Sequence, residues 1–192
     1  MADWFLENEL ARYEYGFDWG ELKAPWISCM ARGEAASVLV RGYQLTNDER
    51  YLKKARLALE SFLHPINSGG VQSQINNEFV FLEEYPTSKP VHVLNGFLYA
   101  LIGLIEYCDR AINDNEMIHL RDQLVYSLQQ NIDKWGEKSW SYYEIPVDQL
   151  DINCCTPKYH NLQISQLMYV SDRLDQKGLK SVIKRWRKGL NS

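Results

Sequence analysis

Residues 27–43 read Ile-Ser-Cys-Met-Ala-Arg-Gly-Glu-Ala-Ala-Ser-Val-Leu-Val-Arg-Gly-Tyr. Their apolar side chains recur three and four positions apart over several turns, which predicts a helix of about residues 27–44 with one buried face. Residues 46–49 then supply capping side chains, and a second amphipathic pattern from Tyr51 to Leu63 ends before Pro65. The two helices should form a hairpin.

The same arrangement occurs twice more along the chain, at a separation of about 65 to 70 residues. Each copy pairs a more apolar helix with a more charged one. The predicted helices are 93–111 with 118–132, joined through 113–116, and 161–174 with 179–190, joined through 175–178. This repetition predicts a mainly all-α fold in which the apolar helices lie inside and the charged ones outside, as in a curved ring.

Two non-helical inserts separate the helix pairs. Residues 69–82 predict two short strands around an Asn76-Asn77 turn, and residues 138–145 form an aromatic, β-like segment before a loop with Pro and Cys. In a helical ring such inserts gather at one mouth, and loops of this kind often carry function. We therefore expect both inserts to face a common cleft.

The composition limits the possible classes of protein. The 192 residues, of which 45% are hydrophobic, suffice for one packed domain, and a net charge of -4 argues against a nucleic-acid partner. No apolar run approaches the roughly 20 residues that span a bilayer, and the N-terminus does not resemble a signal peptide, which predicts a cytoplasmic protein without a membrane partner. The four cysteines lack zinc-ligand spacing, so we expect free thiols and neither a metal nor a cofactor.

The richest chemistry lies in Glu83-Glu84-Tyr85-Pro86-Thr87-Ser88, followed closely by His92-Val93-Leu94-Asn95-Gly96-Phe97. Successive side chains of an extended segment alternate in direction, so one of Glu83 and Glu84 should face the cleft, as a functional carboxylate or as a helix cap. Tyr85 is a packing residue or, if buried near a cation, a proton donor or, as a phenolate, a proton acceptor. Carboxyl, phenol and imidazole groups at a loop-to-helix junction could move protons.

Comparable groups occur in the other insert. Tyr142 and Tyr143 alternate in the same manner, and Tyr159-His160 precedes the third apolar helix as Tyr85 precedes the second. Both His92 and His160 are as compatible with structural roles as with catalysis. Six Trp and twelve Tyr residues would suit a sugar-binding cleft, in which pyranose rings stack on aromatic rings, although aromatic residues also fill helical cores.

Taken together, these residues resemble the C-terminal domain of the D-glucuronyl C5-epimerases, which invert glucuronate to iduronate in heparan-type polysaccharides. The matching segments are 12–16, 23–28, 46–52, 83–88, 92–97, 139–145, 159–160 and 166–167. The resemblance implies an incomplete (α/α) toroid of helical hairpins with short β-hairpin inserts at one mouth. It also implies that residues 1–192 form a single domain of this type, without the family's β-rich N-terminal region.

The resemblance implies the site residues as well. Tyr143 and Tyr159 are the candidates for proton transfer, Glu84 would polarise or accept, and Tyr85 would bind the substrate carboxylate. Other substrate contacts are expected from a further set, namely Trp26, His92, Asn95, His160 and Arg12. Where the family often has an arginine after the tyrosine matching Tyr143, this chain has Pro146, so another cation such as Arg12 would have to contact the carboxylate.

The function implied is C5 epimerisation of a uronate in an oligosaccharide or polysaccharide, by removal and return of the C5 proton and without a cofactor. A uronate lyase shares the first step and is the nearest enzymatic alternative. A toroid that binds a glycan or acts as a scaffold without catalysis is the other alternative, favoured by Pro146 and by the short chain. The expected partners are the glycan and either a second copy of the chain or a separate β-rich chain.

Overall fold

In the computed structural model, residues 1–7, 13–136, 138–147 and 152–190 are described. A short first helix precedes three helix pairs, so the predicted hairpins are confirmed, with boundaries that shift by a few residues. The helices are α1 (Ala2–Glu7), α2 (Cys29–Thr46), α3 (Glu49–Leu59), α4 (Leu94–Cys108), α5 (Asn115–Asn131), α6 (Pro157–Arg173) and α7 (Lys177–Gly189). Turns of 3-10 helix extend α3 through Glu60–Leu63 and α5 through Ile132–Trp135, and a third spans Ile66–Ser68.

The apolar helix of each pair lies inside, as the sequence predicts. Helix α4 packs between α2 and α6, while α3, α5 and α7 each contact the inner helix of their own pair. Most of α4 is buried on all sides, which explains its nearly continuous apolar sequence. The result is an open arc of three helix pairs, with the order expected of an incomplete (α/α) toroid.

Local sequence signals determine where the helices begin. Asp48 caps α3 by accepting a hydrogen bond from the Arg50 backbone N–H at 2.9 Å, and Asp114 caps α5 through the Met117 N–H at 3.2 Å. Thr156 caps α6, where Pro157 occupies the first turn and needs no hydrogen-bond partner for its nitrogen. Capping of this kind supports the first turns, whose N–H groups lack partners within the helix.

The first insert is the predicted hairpin. Strands β1 (Gln72–Ile75) and β2 (Phe79–Leu82) are antiparallel, with Gln72 opposite Leu82 and Ile75 opposite Phe79. Asn76 and Asn77 both adopt left-handed backbone conformations, with φ of 56° and 57°, which asparagine tolerates better than most residues. The mainly all-α fold with a short β-hairpin is therefore confirmed.

The second insert is less regular than the sequence suggests. Within its described residues, 138–147, one antiparallel bridge joins Tyr142 to Cys154, and no strand extends from it. The bridge consists of two backbone bonds, from the Tyr143 N–H to the Asn153 carbonyl and from the Cys155 N–H to the Ser141 carbonyl, while the Tyr142 N–H points the other way and donates to the Trp135 carbonyl. The prediction of a β-like segment is thus correct only for this bridge.

One hydrophobic cluster runs through all the helices and the hairpin. Its largest fully buried side chains include Trp135, Trp186, Phe81 and Phe97, and the rings of Phe81 and Phe97 stack with centroids 4.3 Å apart. This cluster fixes β2, and with it the loop that follows β2, against α4. In the described part of the chain, no helix has the length and hydropathy needed to cross a membrane.

Candidate active site

Glu83 and Glu84 directly follow β2, and their carboxylates lie in different surroundings. The Glu83 backbone is held on both sides, because its N–H donates to the Val71 carbonyl at 2.8 Å and its carbonyl accepts from the Cys29 N–H at 3.1 Å. The Glu83 side chain is fully buried beside His92, whose Nδ1 lies 2.7 Å from Oε1 and whose backbone N–H donates to Oε2 at 3.1 Å. Glu83 is therefore an internal partner of His92.

Glu84 is the carboxylate that faces the aromatic side of the molecule. Its side chain is 5% exposed, and its Oε2 has no hydrogen-bond partner among the described residues. The first turn of α4 approaches it so closely that a Cβ on Gly96 would lie 2.3 Å from Oε2. Burial raises the pKa of Glu84 to about 7, the charges of Glu34 and Glu83 act in the same direction, and hydrogen bonding with Tyr85 opposes them.

Three tyrosines lie near the Glu84 carboxyl group. Burial and the charge of Glu84 raise the pKa of Tyr85 to about 12, although a hydrogen bond with Tyr143 opposes the shift. Burial and the same charge raise the pKa of Tyr143 well above its ordinary value. The ring of Tyr143 meets that of Tyr159 edge to face, with centroids 5.5 Å apart. We refer to Glu84, Tyr85, Tyr143 and Tyr159 as the tyrosine cluster.

The members of the tyrosine cluster come from three separate segments. Glu84 and Tyr85 follow β2, Tyr143 belongs to the second insert, and Tyr159 lies in the first turn of α6. The second insert is tied to α4 because the Leu94 N–H donates to the Tyr143 carbonyl at 3.1 Å. The structure therefore brings together the four residues predicted to be catalytic. It places Tyr143 and Tyr159 beside each other, in direct ring contact.

The chemistry of these groups gives the hydrogen bonds a direction. An ionised carboxylate can only accept, so Tyr85 can donate to Glu84, and the Tyr85 oxygen can accept from Tyr143. With their raised pKa values, Tyr85 and Tyr143 are neutral phenols near pH 7. Glu84 is the group in the cluster whose pKa is shifted to near neutrality. The arrangement can thus carry a proton from Tyr143 towards Glu84.

A segment of aromatic residues, 13–27, lies over Tyr85, and we call it the strap. Within it Tyr15 pairs with Trp26 through a single bridge, and their rings lie 4.5 Å apart. Trp26 is 7% exposed, donates through Nε1 to the Phe17 carbonyl at 2.8 Å, and approaches Tyr85 to 6.1 Å. Trp26, predicted to contact substrate, therefore lies beside the cluster as a packed wall residue.

A cavity of ≈ 160 Å³ lies between part of the strap and the Glu84–Tyr85 end of the tyrosine cluster. It is lined by Tyr15, Phe17, Trp19, Trp26, Met30, Glu84 and Tyr85. Of the strap residues that line it, Trp26 is the one expected from the sequence to be a site residue, whereas Tyr15, Phe17 and Trp19 are not. Alternating aromatics at Tyr13, Tyr15 and Phe17 before a glycine turn at Gly20 are the signal that could have identified them, because such alternation places rings on one side of an extended segment.

His92 and His160, the two histidines expected to contact substrate, lie largely inside the protein. His92 has a left-handed backbone with φ of 56°, holds Glu83, and packs edge to face against Phe81 at 5.0 Å. His160 is fully buried, its Nδ1 accepts from the Ser141 N–H at 3.1 Å, and its Nε2–H therefore donates to the Trp186 carbonyl at 3.1 Å. Burial lowers the pKa of His160, which favours the neutral ring. Both ring nitrogens of His160 are engaged within the core.

Two predicted substrate contacts remain: Asn95 is buried, and Arg12 lies outside the described part of the chain. Asn95 is 3% exposed in the first turn of α4, where its backbone carbonyl accepts from Gln166 Nε2 at 3.1 Å. Arg12 lies outside the described residues. Among the described residues, no group of three His, Cys, Asp or Glu side chains is arranged to hold a metal ion.

Comparison with known proteins agrees with the resemblance found in the sequence. The family model described as D-glucuronyl C5-epimerase C-terminus matches residues 7–188. The chain is 31% identical over 206 aligned residues to the D-glucuronyl C5-epimerase of Caenorhabditis elegans, an alignment that covers 96% of this chain and 33% of that protein. It is 25% identical over 179 residues to the uncharacterized protein MJ1128 of Methanocaldococcus jannaschii, with 92% of this chain and 56% of that protein covered.

The chain thus spans about a third of the first relative and about half of the second. The match to the family model nevertheless extends over nearly the whole chain, from the last residue of α1 almost to the end of α7. The resemblance identified from the sequence is confirmed, and the chain belongs to the D-glucuronyl C5-epimerase C-terminus family.

Proposed function

We propose that this chain carries a uronate C5-epimerase site, which inverts D-glucuronate to L-iduronate within a glycan by removing and returning the C5 proton. The observation that supports the proposal most directly is the grouping of Glu84 with Tyr85 and Tyr143, with Tyr159 in ring contact with Tyr143. This grouping combines a carboxyl group whose pKa is raised to about 7 with phenols that stay protonated. Such a pairing suits reversible proton transfer.

The reaction needs both a proton acceptor and a source of stabilising charge. The C5–H of a uronate lies next to the carboxylate, so breaking that bond places charge on the carboxylate oxygens in an enolate-like intermediate. Hydrogen-bond donors aimed at those oxygens lower the barrier, and they act more strongly in a site from which water is excluded. Tyr85 and Tyr143 remain neutral because their pKa values are raised, so they can pass a proton along without placing a negative charge beside the substrate carboxylate.

A free phenolate is a poor candidate for the base. With a pKa of about 12, roughly one Tyr85 in 10⁵ would be ionised at pH 7. In the proposed step the Tyr143 oxygen takes the C5 proton while Tyr143 passes its own proton to Tyr85, and Tyr85 passes its proton to the Glu84 carboxylate. The C5–H bond breaks, an O–H bond forms on Glu84, and the electron pair remains on the substrate as the enolate.

Inversion requires that the new proton arrive from the opposite face of the sugar. We assign that proton to Tyr159, whose side chain is 38% exposed and can regain a proton from water. The Tyr143 and Tyr159 rings are in contact in this structure, so the mechanism requires them to separate when the sugar enters between them. The Tyr159 O–H bond breaks, the new C5–H bond forms, and Glu84 returns its proton to solvent as the product leaves. Tyr143 and Tyr159 are then the two residues that touch the reacting carbon, in agreement with the roles that the sequence predicts.

The experiment that tests this function is incubation of the chain with a glucuronate oligosaccharide in deuterated water. Deuterium at C5 is read by mass spectrometry, and the product is identified by NMR. Tyr143→Phe should slow the exchange by at least about a hundredfold, since it removes a proton-transfer group. Tyr126→Phe is the matched control, because Tyr126 is 57% exposed on α5, outside the tyrosine cluster, and should leave the rate unchanged.

The outcomes separate the alternatives. Exchange that is lost in Tyr143→Phe and kept in Tyr126→Phe supports the epimerase site. An unsaturated, ultraviolet-absorbing product would instead identify a lyase. If the folded wild-type chain exchanges no deuterium with any of several uronate glycans, the proposed activity of this chain is refuted.

A further inference from the structure

Trp19 occupies the tip of the strap in a defined position. Its backbone N–H donates to the Leu22 carbonyl at 2.9 Å and its carbonyl accepts from the Leu22 N–H at 2.8 Å, so the two residues close a tight turn. Gly20 lies within this turn at a φ of +55°, which favours glycine. The Trp19 ring stacks on that of Tyr85, with centroids 5.7 Å apart and planes inclined by 20°.

Polar contacts hold the strap at this place. The Glu21 carboxylate accepts from the Ser88 backbone N–H and from the Ser88 hydroxyl, the latter at 2.9 Å. Asp18 accepts from Lys23 Nζ at 2.8 Å and from the Ala24 N–H at 3.0 Å. The tip of the strap is thereby connected to the segment that carries Tyr85. Trp19 is thus positioned by the turn and by these contacts rather than by burial in the core.

The exposure of Trp19 contrasts with that of its neighbour Trp26. Trp19 is 53% exposed, whereas Trp26 is 7% exposed. One face of the Trp19 ring is covered by Tyr85, so the exposed area includes the other face. Phe17 and Tyr13, at 52% and 43% exposure, extend this aromatic surface along the strap. Exposed apolar patches beside a cavity mark binding sites more often than packing defects.

We propose that Trp19 is a stacking platform for the sugar that adjoins the reacting uronate, an inference that rests on the proposed function. The position of Tyr85 supports this order, since Tyr85 interacts with Tyr143 through its hydroxyl and with Trp19 through its ring face. A sugar on the exposed face of Trp19 lies beyond the 5.7 Å that separates the Trp19 and Tyr85 ring centroids, so it is not the sugar whose C5 contacts Tyr143. The ligand is therefore a glycan of two or more residues.

Binding measured without turnover tests the platform. In 15N-labelled protein, the indole N–H signal of Trp19 is identified by its loss in Trp19→Ala, and all indole signals are followed during titration with a glucuronate tetrasaccharide and with methyl glucuronide. Trp19→Ala should weaken tetrasaccharide binding by about tenfold, the loss expected for one aromatic contact, and leave binding of the monosaccharide unchanged. Trp19→Phe should restore most of the affinity because it keeps a ring.

A matched control comes from α1. Trp4 is 52% exposed, close to the exposure of Trp19, and packs edge to face on Phe5 rather than within the strap. Trp4→Ala should therefore leave both affinities at their wild-type values. Equal losses in Trp4→Ala and Trp19→Ala would overturn the platform, as would unchanged tetrasaccharide binding in Trp19→Ala.

Two further outcomes distinguish a failure of this inference from a failure of the proposed function. If the wild-type chain binds the tetrasaccharide through Trp19 but exchanges no C5 deuterium, the platform stands and the epimerase activity fails. If Trp19→Ala weakens the monosaccharide as much as the tetrasaccharide, Trp19 serves to support Tyr85 and the platform is overturned. Loss of self-association in Trp19→Ala, with glycan binding unchanged, would likewise overturn it and assign the exposed rings to a protein contact.

Discussion

At the scale of single residues, Glu83 and Glu84 show how two identical neighbours acquire different chemistry. Glu83 is surrounded by donors, since Ser73 Oγ donates at 2.6 Å and His92 contributes two contacts. Glu84 has an oxygen without a partner among the described residues and a pKa raised by burial. Hydrogen bonds stabilise a buried carboxylate, whereas burial without them favours the protonated acid. Glu84 is therefore the one suited to exchange a proton.

The first prediction concerns the stability of Glu84→Gln as a function of pH. The folded pKa of about 7 exceeds the ordinary 4.5, so the folded state binds the proton more tightly and wild-type stability falls as pH rises from about 4.5 to 7. Glutamine abolishes this titration, so Glu84→Gln should gain about 2–3 kcal/mol over wild type between pH 4.5 and pH 8. Urea unfolding at several pH values measures the difference. Parallel pH profiles for the two proteins would contradict the assignment.

The pH dependence of catalysis follows from the same group and gives a second prediction. If Glu84 receives the proton, its ionised form is the active one, and the rate of C5 exchange should rise with pH and level off above a midpoint of about 7. The variant Glu84→Gln should lack both the rise and most of the exchange. Deuterium incorporation measured from pH 5 to 9 is the test, and a rate that falls through pH 7 would assign the carboxyl group the opposite role.

At the scale of elements, glycines let α2 and α4 approach closely enough to share the core. A Cβ on Gly103 would lie 2.2 Å from the Gly33 carbonyl oxygen, and one on Gly33 would lie 2.5 Å from the Ala100 Cα. Backbone atoms of the facing helix fill the space, so a side chain there cannot be accommodated by a change of rotamer. Because α4 also carries the first turn that contacts Glu84, this helix contact influences the site.

The third prediction uses this contact. Gly103→Ala should destabilise the fold by about 2 kcal/mol or more, since the alanine methyl group forces α2 and α4 apart. Gly178→Ala is the matched control in α7, where a Cβ meets nothing within 4 Å and the higher helix propensity of alanine should stabilise by about 0.5–1 kcal/mol. Thermal and urea denaturation give both values. Equal changes in the two variants would mean that the approach of α2 to α4 is not the constraint.

Helix capping gives the fourth prediction, which links an element to the site. Thr156→Ala removes the side chain that accepts from the Tyr159 N–H at 3.4 Å, and Asp48→Ala removes the comparable cap of α3. Each should cost about 1 kcal/mol of stability. C5 exchange should slow only in Thr156→Ala, because Tyr159 lies in the turn that loses its cap. If both variants slowed equally, the effect would come from global stability.

At the scale of the whole molecule, ion pairs join successive helix pairs around the outside of the arc. Arg41 contacts Glu106 across α2 and α4, Arg173 contacts Asp109 across α6 and the end of α4, and Arg56 of α3 binds Asp114 at 2.9 Å. Arg56 also contacts Glu116 at 2.6 Å and, in its own pair, Glu60. These contacts supplement a core that is already continuous, and they fix how one pair is oriented on the next.

The fifth prediction concerns this outer network. Arg56→Met should destabilise the chain by about 1–2 kcal/mol, because three carboxylates lose a shared cation whose side chain is only 24% exposed. The effect should shrink as salt concentration rises. Arg50→Met is the control, since Arg50 is 72% exposed and pairs locally with Asp48, so its loss should change stability much less than the loss of Arg56. A salt-independent loss for Arg56→Met would point to lost packing instead.

Local patterns in the sequence predicted most of the fold. The helix pairs, their caps and the Asn76-Asn77 turn depend on residues within a few positions of one another, so the periodicity and residue types along the chain suffice to identify them. The family followed from short segments in a fixed order and is confirmed. For the second insert the local pattern predicted more β structure than forms, since the described residues there make a single bridge, between Tyr142 and Cys154.

The sequence by itself thus determined the helical repeat and the family, and the resemblance predicted the four residues that form the tyrosine cluster. Tertiary structure decided that Glu83 is held by His92 while Glu84 keeps an oxygen without a partner among the described residues, that His160 is enclosed in the core, and that Trp19 lies over Tyr85. Each of these depends on contacts between segments far apart in the chain. Such contacts set burial and hydrogen bonding, and through them the pKa values, none of which the identity of a residue alone can fix.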